Sequence, residues 1–524
     1  MSNIKSEKGI AGVIAASSLG TLIEWYDFYI FGSLATIIAT KFFPSGNPTA
    51  ALLSTLATFA AGFVVRPFGA LFFGRLGDII GRKYTFLVTL VLMGVSTFLI
   101  GCIPSYETIG FAAPILVLLL RLLQGLALGG EYGGAATYVA EHSPEHKRGF
   151  WTSWIQTTAT VGLFLSLLVI VTTKGAMSKE AFADWGWRVP FWISIVMVGI
   201  SIVIRMKMKE SPLFQKAKDE GKTSKNPLKE SFGNKLNFKF VLLALFGATM
   251  GQGVVWYTGQ FYALNFIQNT LSVDITQASN ILMIALALGT PFFIVFGALS
   301  DKIGRKWIML FGMLIALLSY RTIYSKMYDS GSVKAKTEIV GNTKVTTTTV
   351  ADTKNIGDSI RTTITNKEYA DGTNYVETKK VNIHADIAKA DEKKDTKIDK
   401  VTNLDNGSFW SLVWLVFIQV IFVTMVYGPI AAFLVEMFPI RIRYTSMSLP
   451  YHIGNGIFGG LLPTIALFLA TKAGQANEAA TKASTALPYD KPYLEGLWYP
   501  IIIAGVCFVI GALYISNNDR NVND

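Results

Sequence analysis

Apolar runs long enough to cross a lipid bilayer as helices dominate this chain of 524 residues. A membrane-spanning helix needs about 20 such residues. Charged residues make up only 16% of the sequence, whereas soluble domains carry about 25%. The pattern predicts an all-α membrane protein with twelve transmembrane helices, at residues 11–40, 51–73, 84–103, 111–140, 150–173, 187–206, 238–268, 276–299, 306–324, 409–436, 444–470 and 497–516.

A repeated motif indicates that the chain is built from two related halves. Gly74–Lys83 reads GRLGDIIGRK and Gly297–Lys306 reads GALSDKIGRK, and each follows an apolar run. The two copies are 223 residues apart, which is far longer than the period of a solenoid repeat. Each half should therefore contribute six helices.

The hydrophilic stretches divide the chain further. We expect an N-terminal six-helix half at 1–206, a cytoplasmic linker at 207–237 and helices seven to nine of the C-terminal half at 238–324. An insertion is expected at 325–407, before helices ten to twelve at 408–524.

A second repeated pattern gives the approximate length of the insertion, from the difference between two repeat spacings. Glu141, Pro144 and Arg148 recur as Glu436, Pro439 and Arg443, at a spacing of 295 residues rather than 223. Within 325–407, Thr362–Tyr369 and Asn374–Ile383 alternate with β-forming residues around the turn signal Asp371-Gly372, and Lys344–Val350 is rich in Thr and Val. We expect a small, β-structured extracytoplasmic cap, with a disordered loop as the alternative. Because an isolated hairpin is marginally stable in water, the cap would need three or more strands or a partner.

Charge predicts the orientation. The net charge is +12, and residues 205–239 alone hold ten Lys or Arg. The positive-inside rule then places this linker and both termini in the cytoplasm and makes the protein a multi-pass component of the cell inner membrane, in contact with lipid. We expect no nucleic-acid partner. Cys102 and Cys507 lie in apolar runs, so neither a disulfide nor a metal site is expected.

Several longer motifs carry a family resemblance. They lie at Gly20–Phe28, Arg66–Gly69, Pro104–Gly110, Arg121–Gly125, Gly129–Gly134 and Asp184–Phe191. Together they resemble the metabolite:H⁺ symporter family of the major facilitator superfamily, which includes proline/betaine, shikimate, α-ketoglutarate and citrate permeases. The resemblance covers nearly the whole chain except 325–407. It implies a monomeric transporter, not an enzyme, that couples protons to uptake of a small organic acid or zwitterionic metabolite without a cofactor.

Ionisable residues inside membrane spans are costly, so each is a functional candidate. Glu24 and Asp27 share a face of span one, and two neighbouring carboxylates disfavour double ionisation, so one could carry a proton. Arg121 lies in span four, with Gln124 one turn on and Glu131 and Tyr132 further along. We hypothesise that Arg121 pairs with Asp27 or with an anionic substrate. A structural role for these residues is the alternative.

Span seven has a polar and aromatic face. Gln252, Trp256 and Gln260 recur every four residues, beside Tyr257. We interpret them as the second-half lining of a central cavity for a small polar substrate, with ordinary helix packing as the alternative. The weaker candidates of span eleven are Tyr451 and Asn455.

The repeated turns suggest a cytoplasmic gate. Acidic and basic residues at corresponding positions of both halves can form charge-assisted contacts that close the cytoplasmic ends of the helices. The gate candidates are Asp78, Arg82, Glu141, Lys147, Arg148, Asp301, Arg305, Glu436, Arg441 and Arg443. The alternative is that the basic members only determine topology.

Two alternatives to proton symport stay open. A uniporter or antiporter of the same fold would use Asp27 and Arg121 as a static pair. A transporter-like sensor would bind its ligand through the insertion. The sequence gives no support for ATP as the energy source, because it contains no Gly-x-x-x-x-Gly-Lys-[Ser/Thr] loop.

Overall fold

The computed structural model describes residues 2–43, 48–80, 82–130, 132–207, 227–351, 358–384, 396–438 and 443–516. It is a helical bundle with one small sheet. The N-terminal half contains α1 (Ser2–Ser33 with Ala35–Phe42), α2 (Pro48–Val64 with Arg66–Ile80), α3 (Arg82–Cys102), α4 (Ala112–Gly129 with Tyr132–His142), α5 (Arg148–Gly175) and α6 (Val189–Lys207).

Short helices lie between α3 and α4 (Tyr106–Ile109), between α5 and α6 (Lys179–Asp184) and after α6 (Pro227–Gly233). The C-terminal half likewise contains six long helices. The long helices are α7 (Lys235–Ala244, Met250–Tyr257 and Ala263–Asn265, joined by π-helical turns), α8 (Ile275–Gly289 with Pro291–Ile303), α9 (Arg305–Gly331), α10 (Asn406–Tyr427 with Ile430–Met437), α11 (Arg443–His452 with Leu462–Lys482, joined by a π-helical turn) and α12 (Trp498–Tyr514).

Ten helices in the described chain are long and apolar enough to cross a membrane. An eleventh candidate combines Ser17–Ser33 with Ala35–Phe42, which meet at a bend of 62°, and Leu87–Cys102 is a shorter apolar helix. Three described helices extend well beyond the apolar spans expected for them. α2 runs to Ile80 rather than 73, α9 to Gly331 rather than 324, and α11 to Lys482 rather than 470. Helix-forming residues continue these helices past the point where the apolar run ends, because each residue added to an existing helix forms a further backbone hydrogen bond without a new nucleation cost.

Close helix contacts depend on glycine. In α4, a Cβ on Gly125 would lie 1.8 Å from the carbonyl oxygen of Gly62 in α2. Small residues at such crossings let membrane helices approach backbone to backbone. The packing of α2 on α4 therefore requires glycine at position 125.

We expect Gly125→Ala to lower the stability of the purified protein by about 3 kcal/mol, because the added methyl group must push two backbones apart. The thermal unfolding midpoint in detergent measures this. Gly199→Ala in α6 is the matched control, since a Cβ there meets nothing within 4 Å. Equal midpoints for the two variants would contradict the expectation.

The insertion folds as a four-stranded antiparallel sheet, which confirms the β-structured cap. Its strands are β1 (Lys344–Ala351), β2 (Ser359–Glu368), β3 (Asn374–Ile383) and β4 (Thr396–Asn403), in the order β1-β2-β3-β4. The predicted hairpin joins β2 to β3, and Gly372 adopts a positive φ of 92° in its turn. Sequence analysis missed β4, whose charged residues conceal the β pattern.

The sheet is attached to the bundle at two places. Thr402 of β4 donates its backbone N–H to the Ser272 carbonyl (2.7 Å) in the α7–α8 turn and accepts one from the Asp274 N–H (2.9 Å). Lys336, ahead of β1, contacts the carboxylates of Asp371 and Asp405 and donates to the Ser408 hydroxyl. Asp405 caps the first turn of α10. The sheet is thus held against the helix ends on its side of the bundle.

This attachment should weaken in acid. Burial alone would raise the pKa of Asp405, but hydrogen bonds from Ser408 and Gly407 and the charge of Lys336 lower it to about 2. A carboxyl whose folded pKa lies below its ordinary value of 3.8 stabilises the fold above about pH 4 and loses that contribution as the pH falls towards 2.

We therefore expect the unfolding midpoint of Asp405→Asn to lie below that of the wild type at pH 7. The difference should shrink between pH 4 and pH 2. Asp399→Asn, at an exposed position of β4, is the control and should match the wild type throughout. A difference that does not change with pH would contradict this account.

Candidate functional site

The largest contacts between the two halves are those of α5 with α8 and of α2 with α11. α4 and α5 also pack against α10, and α4 packs against the start of α11. We call the end of the bundle that carries Arg148, Arg305 and Glu436 the linker end, and the end that carries the four-stranded sheet the sheet end. Side chains from both halves meet at both ends and between them.

At the linker end, a charged network joins the halves. Glu436 of α10 accepts two hydrogen bonds from Arg305, from Nε (2.7 Å) and Nη2 (2.6 Å), and Arg148 of the other half approaches it at 3.3 Å. Arg305 also binds Asp301 at 3.0 Å. Asp301 in turn accepts the backbone N–H groups of Gly149 and Phe150, both at 2.8 Å. Because a carboxylate is stabilised at a helix N-terminus, Asp301 of one half caps α5 of the other.

Four of the gate candidates thus come together: Arg148, Asp301, Arg305 and Glu436. Arg443 instead donates from Nε to the Phe438 carbonyl (3.0 Å) within its own half. The side chains of Asp78, Arg82, Glu141 and Arg441 lie outside those that the structure describes, and Lys147 is exposed.

A second tie between the halves lies at the sheet end, and sequence analysis missed it. Lys174, near the end of α5, contacts Asp274 (3.2 Å) and Thr276 (2.9 Å) at the start of α8. The charge of Lys174 and hydrogen bonds from Thr276 outweigh burial and lower the pKa of Asp274. An Asp before an apolar run is an N-cap signal that could have located one partner. The halves are therefore joined at both ends.

Between the two ends, aromatic side chains fill the contact between the halves. Tyr29 of α1 stacks on Trp256 of α7, with ring centroids 5.4 Å apart, and Phe59 of α2 stacks on Phe261 at 5.0 Å. Phe63 meets Tyr257 edge-on at 5.2 Å. Two of the predicted lining residues, Trp256 and Tyr257, thus face the N-terminal half.

The remaining lining candidates are held by other helices. Gln260 exchanges hydrogen bonds with Thr160 of the other half (3.3 Å), whereas Gln252 pairs with Asn455 of its own half (2.8 Å). Tyr451 stacks at 3.6 Å on Tyr132 of the other half. The polar face of α7 is thus divided between contacts within one half and contacts across the interface.

Arg121 is fully buried, and the helices around it satisfy most of its donors. Its Nη1 donates to Gln124 Oε1 (2.6 Å) and to the Phe28 carbonyl (3.3 Å), and its Nη2 donates to the Phe59 carbonyl (3.3 Å). It forms no ion pair with Asp27 or another described residue in this structure. Its contacts join α1, α2 and α4 within the N-terminal half, since backbone carbonyls of adjacent helices come within reach of the guanidinium.

Asp27 is fully buried in α1. Ser194 lies beside it, but its carboxylate oxygens accept no hydrogen bond of normal geometry from the described residues. Glu24 is buried one turn earlier. Glu131 lies outside the described residues. A buried carboxylate with few partners is a group that can take up a proton.

Arg66, at the start of the second part of α2, is the buried charge that sequence analysis passed over. It was noticed only as part of a family motif, although an arginine within an apolar run was the available signal. Its side chain is fully buried, and its guanidinium lies 4.1 Å from the Phe63 ring centroid, 4.7 Å from Phe28 and 5.0 Å from Trp25. The described residues supply no hydrogen-bond acceptor for its Nε or Nη2.

Comparisons with known proteins agree with this architecture. The family described as "Sugar (and other) transporter" matches residues 13–239. The α-ketoglutarate permease of Escherichia coli K12 is 39% identical over 317 residues, which cover 60% of this chain and 71% of the permease. A putative metabolite transport protein of Haemophilus influenzae is 30% identical over 516 residues, covering 98% of this chain and 95% of that protein.

Other relatives match over a shorter length. The proline/betaine transporter of Salmonella typhimurium is 37% identical over 310 residues, and the match spans 61% of its length. Among solved structures, a D-xylose-proton symporter superposes with a TM-score of 0.61 at 15% identity and covers 98% of this chain and 99% of its own. At that identity the likeness concerns the fold alone.

The two-half helical bundle, the charged network between the halves and these matches together define a multi-pass membrane transporter rather than an enzyme. The chain belongs to the major facilitator superfamily of metabolite transporters.

Proposed function

We propose that this protein is a secondary transporter that couples inward proton movement to uptake of a small organic acid or zwitterion across the bacterial inner membrane. Twelve transmembrane helices would form two six-helix halves, with the linker and both termini in the cytoplasm. The protein would act as a monomer. Access would alternate around a site between the halves, near the midplane.

One observation carries the proposal. Buried ionisable side chains lie in apolar helices at or near the contact between the halves, and that contact is tied at both ends. Asp27 can carry a proton, and the ties of Glu436 and Asp274 must break alternately if the site is to open to one side and then to the other. The relatives named proline/betaine transporter and α-ketoglutarate permease support the substrate class.

Uptake into proteoliposomes tests the proposal. Purified full-length protein would receive an imposed inward proton gradient and labelled α-ketoglutarate, shikimate, citrate, proline or betaine. Accumulation that a protonophore abolishes would support proton symport. Equilibration without accumulation would favour the uniporter, and absence of flux with every compound would overturn the proposed substrate class.

A further inference from the structure

We propose that Arg66 binds the carboxylate group of an anionic substrate, with Trp256 and Tyr257 as further donors, so that the transported compound is a small organic acid anion. This inference rests on the proposed transport function and narrows it. Sequence analysis had given the substrate role to Arg121. We assign that role to Arg66 instead, because Arg121 has hydrogen-bond acceptors within the protein, whereas Nε and Nη2 of Arg66 have none among the described residues.

Arg66 lacks the hydrogen-bond acceptors or carboxylate partners that Arg121, Arg305 and Lys174 have among the described residues. Arg121 donates to Gln124 and to two carbonyl groups, Arg305 binds Glu436, and Lys174 binds Asp274. The rings of Trp25, Phe28 and Phe63 lie against the guanidinium of Arg66, and no described carboxylate forms an ion pair with it. A buried charge is costly unless it is paired and hydrogen-bonded. A substrate anion would supply the missing partner.

Other unsatisfied donors lie nearby, on the other half. The indole Nε1–H of Trp256 is buried without a hydrogen-bond partner among the described residues. The buried hydroxyl group of Tyr257 lies beside that of Tyr29 but forms no hydrogen bond of normal geometry with a described residue. The two rings are 4.9 Å apart, and Tyr257 packs on Phe63, whose ring also lies beside Arg66. The indole N–H of Trp256 can only donate a hydrogen bond, so its partner must be an acceptor such as a carboxylate oxygen.

The sign of the charge also limits the substrate. Arg66 and Arg121 both lie close to the ring of Phe28, whose centroid is 4.7 Å from the guanidinium carbon of Arg66 and 4.0 Å from that of Arg121. No described carboxylate forms an ion pair with either guanidinium. Two neighbouring guanidinium groups without an acidic partner among the described residues favour a substrate with net negative charge over a zwitterion or a neutral sugar. A guanidinium also offers two parallel donors that match the geometry of a carboxylate.

The chemistry of the site can be tested by binding. Purified full-length protein in detergent would be titrated with α-ketoglutarate, shikimate, betaine and xylose, using tryptophan fluorescence and thermal stabilisation as readouts. We expect both acids to bind, and Arg66→Gln to raise their Kd by about 30-fold. Arg66→Lys should have a smaller effect because it keeps the charge but loses the fork. Arg321→Lys is the control, since Arg321 pairs with Glu495 within one half.

A ligand series keeps the test valid if the Arg66 variants fold poorly. Wild-type protein should bind shikimate at least 30-fold more tightly than its methyl ester, which lacks the negative charge. Equal binding of acid and ester, unchanged binding in both Arg66 variants, or binding of only betaine or xylose would each overturn the inference.

The same variants separate this inference from the proposed function. If wild-type protein accumulates an organic acid under a proton gradient and Arg66→Gln does so with the same KM, the inference fails and proton symport stands. If acids bind in an Arg66-dependent manner but no flux is found, the carboxylate site stands and the transport proposal fails.

Discussion

Replacing Asp27 with asparagine should abolish gradient-driven accumulation while leaving exchange of substrate across the membrane intact. Asn resembles the protonated carboxyl group in shape and cannot release a proton. One proton and a monovalent acid anion cross together without net charge, so the pH difference drives accumulation, by about 1.4 kcal/mol or about 10-fold per pH unit for one coupled proton. We expect Asp27→Asn to lose that factor, because transport no longer requires proton movement.

Two flux measurements in proteoliposomes check this result. Accumulation is measured under an imposed gradient, and counterflow is measured without one. Asp184→Asn is the matched control, because the same chemical change is made at a side chain that is 83% exposed. Persistent gradient-driven accumulation by Asp27→Asn would show that the proton is carried elsewhere, for example on Glu24, which is buried one turn away.

Replacing Glu436 with glutamine should open the linker end. Arg305 would lose a charged two-point partner, and Arg148 would lose its contact across the halves. Hydrogen bonds to charged groups contribute about 2 kcal/mol, so the equilibrium should shift about 30-fold towards the open linker end. Uptake should fall by at least about 10-fold, because a transporter that favours one state rarely returns to the other.

Distance measurements between spin labels at His146 and Lys302, both exposed at the linker end, would follow this opening. We expect a longer mean distance in Glu436→Gln than in the wild type. Glu495→Gln is the control because Glu495 pairs with Arg321 inside the C-terminal half, so its loss should not separate the halves. Unchanged distances together with full uptake would refute the role of Glu436 as a tie.

Much of the fold could be predicted from the sequence because the membrane leaves few choices. Backbone polar groups have no water to bond with in lipid, so long apolar runs must become helices. The hairpin between β2 and β3 was also predictable, since Asp371-Gly372 is a local turn signal. By contrast, β4 depends on pairing with β3 and on the contact of Thr402 with Ser272. Such pairing is not encoded in local pattern.

The sequence predicted which residues belong to the site better than it predicted which of them contact each other. Sequence analysis selected Arg148, Asp301, Arg305 and Glu436, because charged residues at helix ends stand out in an apolar chain. It also selected Tyr132 and Tyr451, which stack across the halves. It could not find the tie between Lys174 and Asp274, which are 100 residues apart and meet only when α5 packs on α8.

The sequence by itself determined that the chain forms apolar helices in two related halves, with a β-structured insertion and charged residues at the helix ends. Only the tertiary structure decided that both terminal nitrogens of Arg121 have hydrogen-bond acceptors, whereas Nε and Nη2 of Arg66 have none among the described residues. Both are arginines in apolar runs, and nothing local distinguishes them. The carbonyl groups of Phe28 and Phe59 lie within reach of Arg121, whereas ring faces surround Arg66. Helix packing therefore places backbone carbonyl acceptors beside the guanidinium of Arg121 and aromatic rings beside that of Arg66.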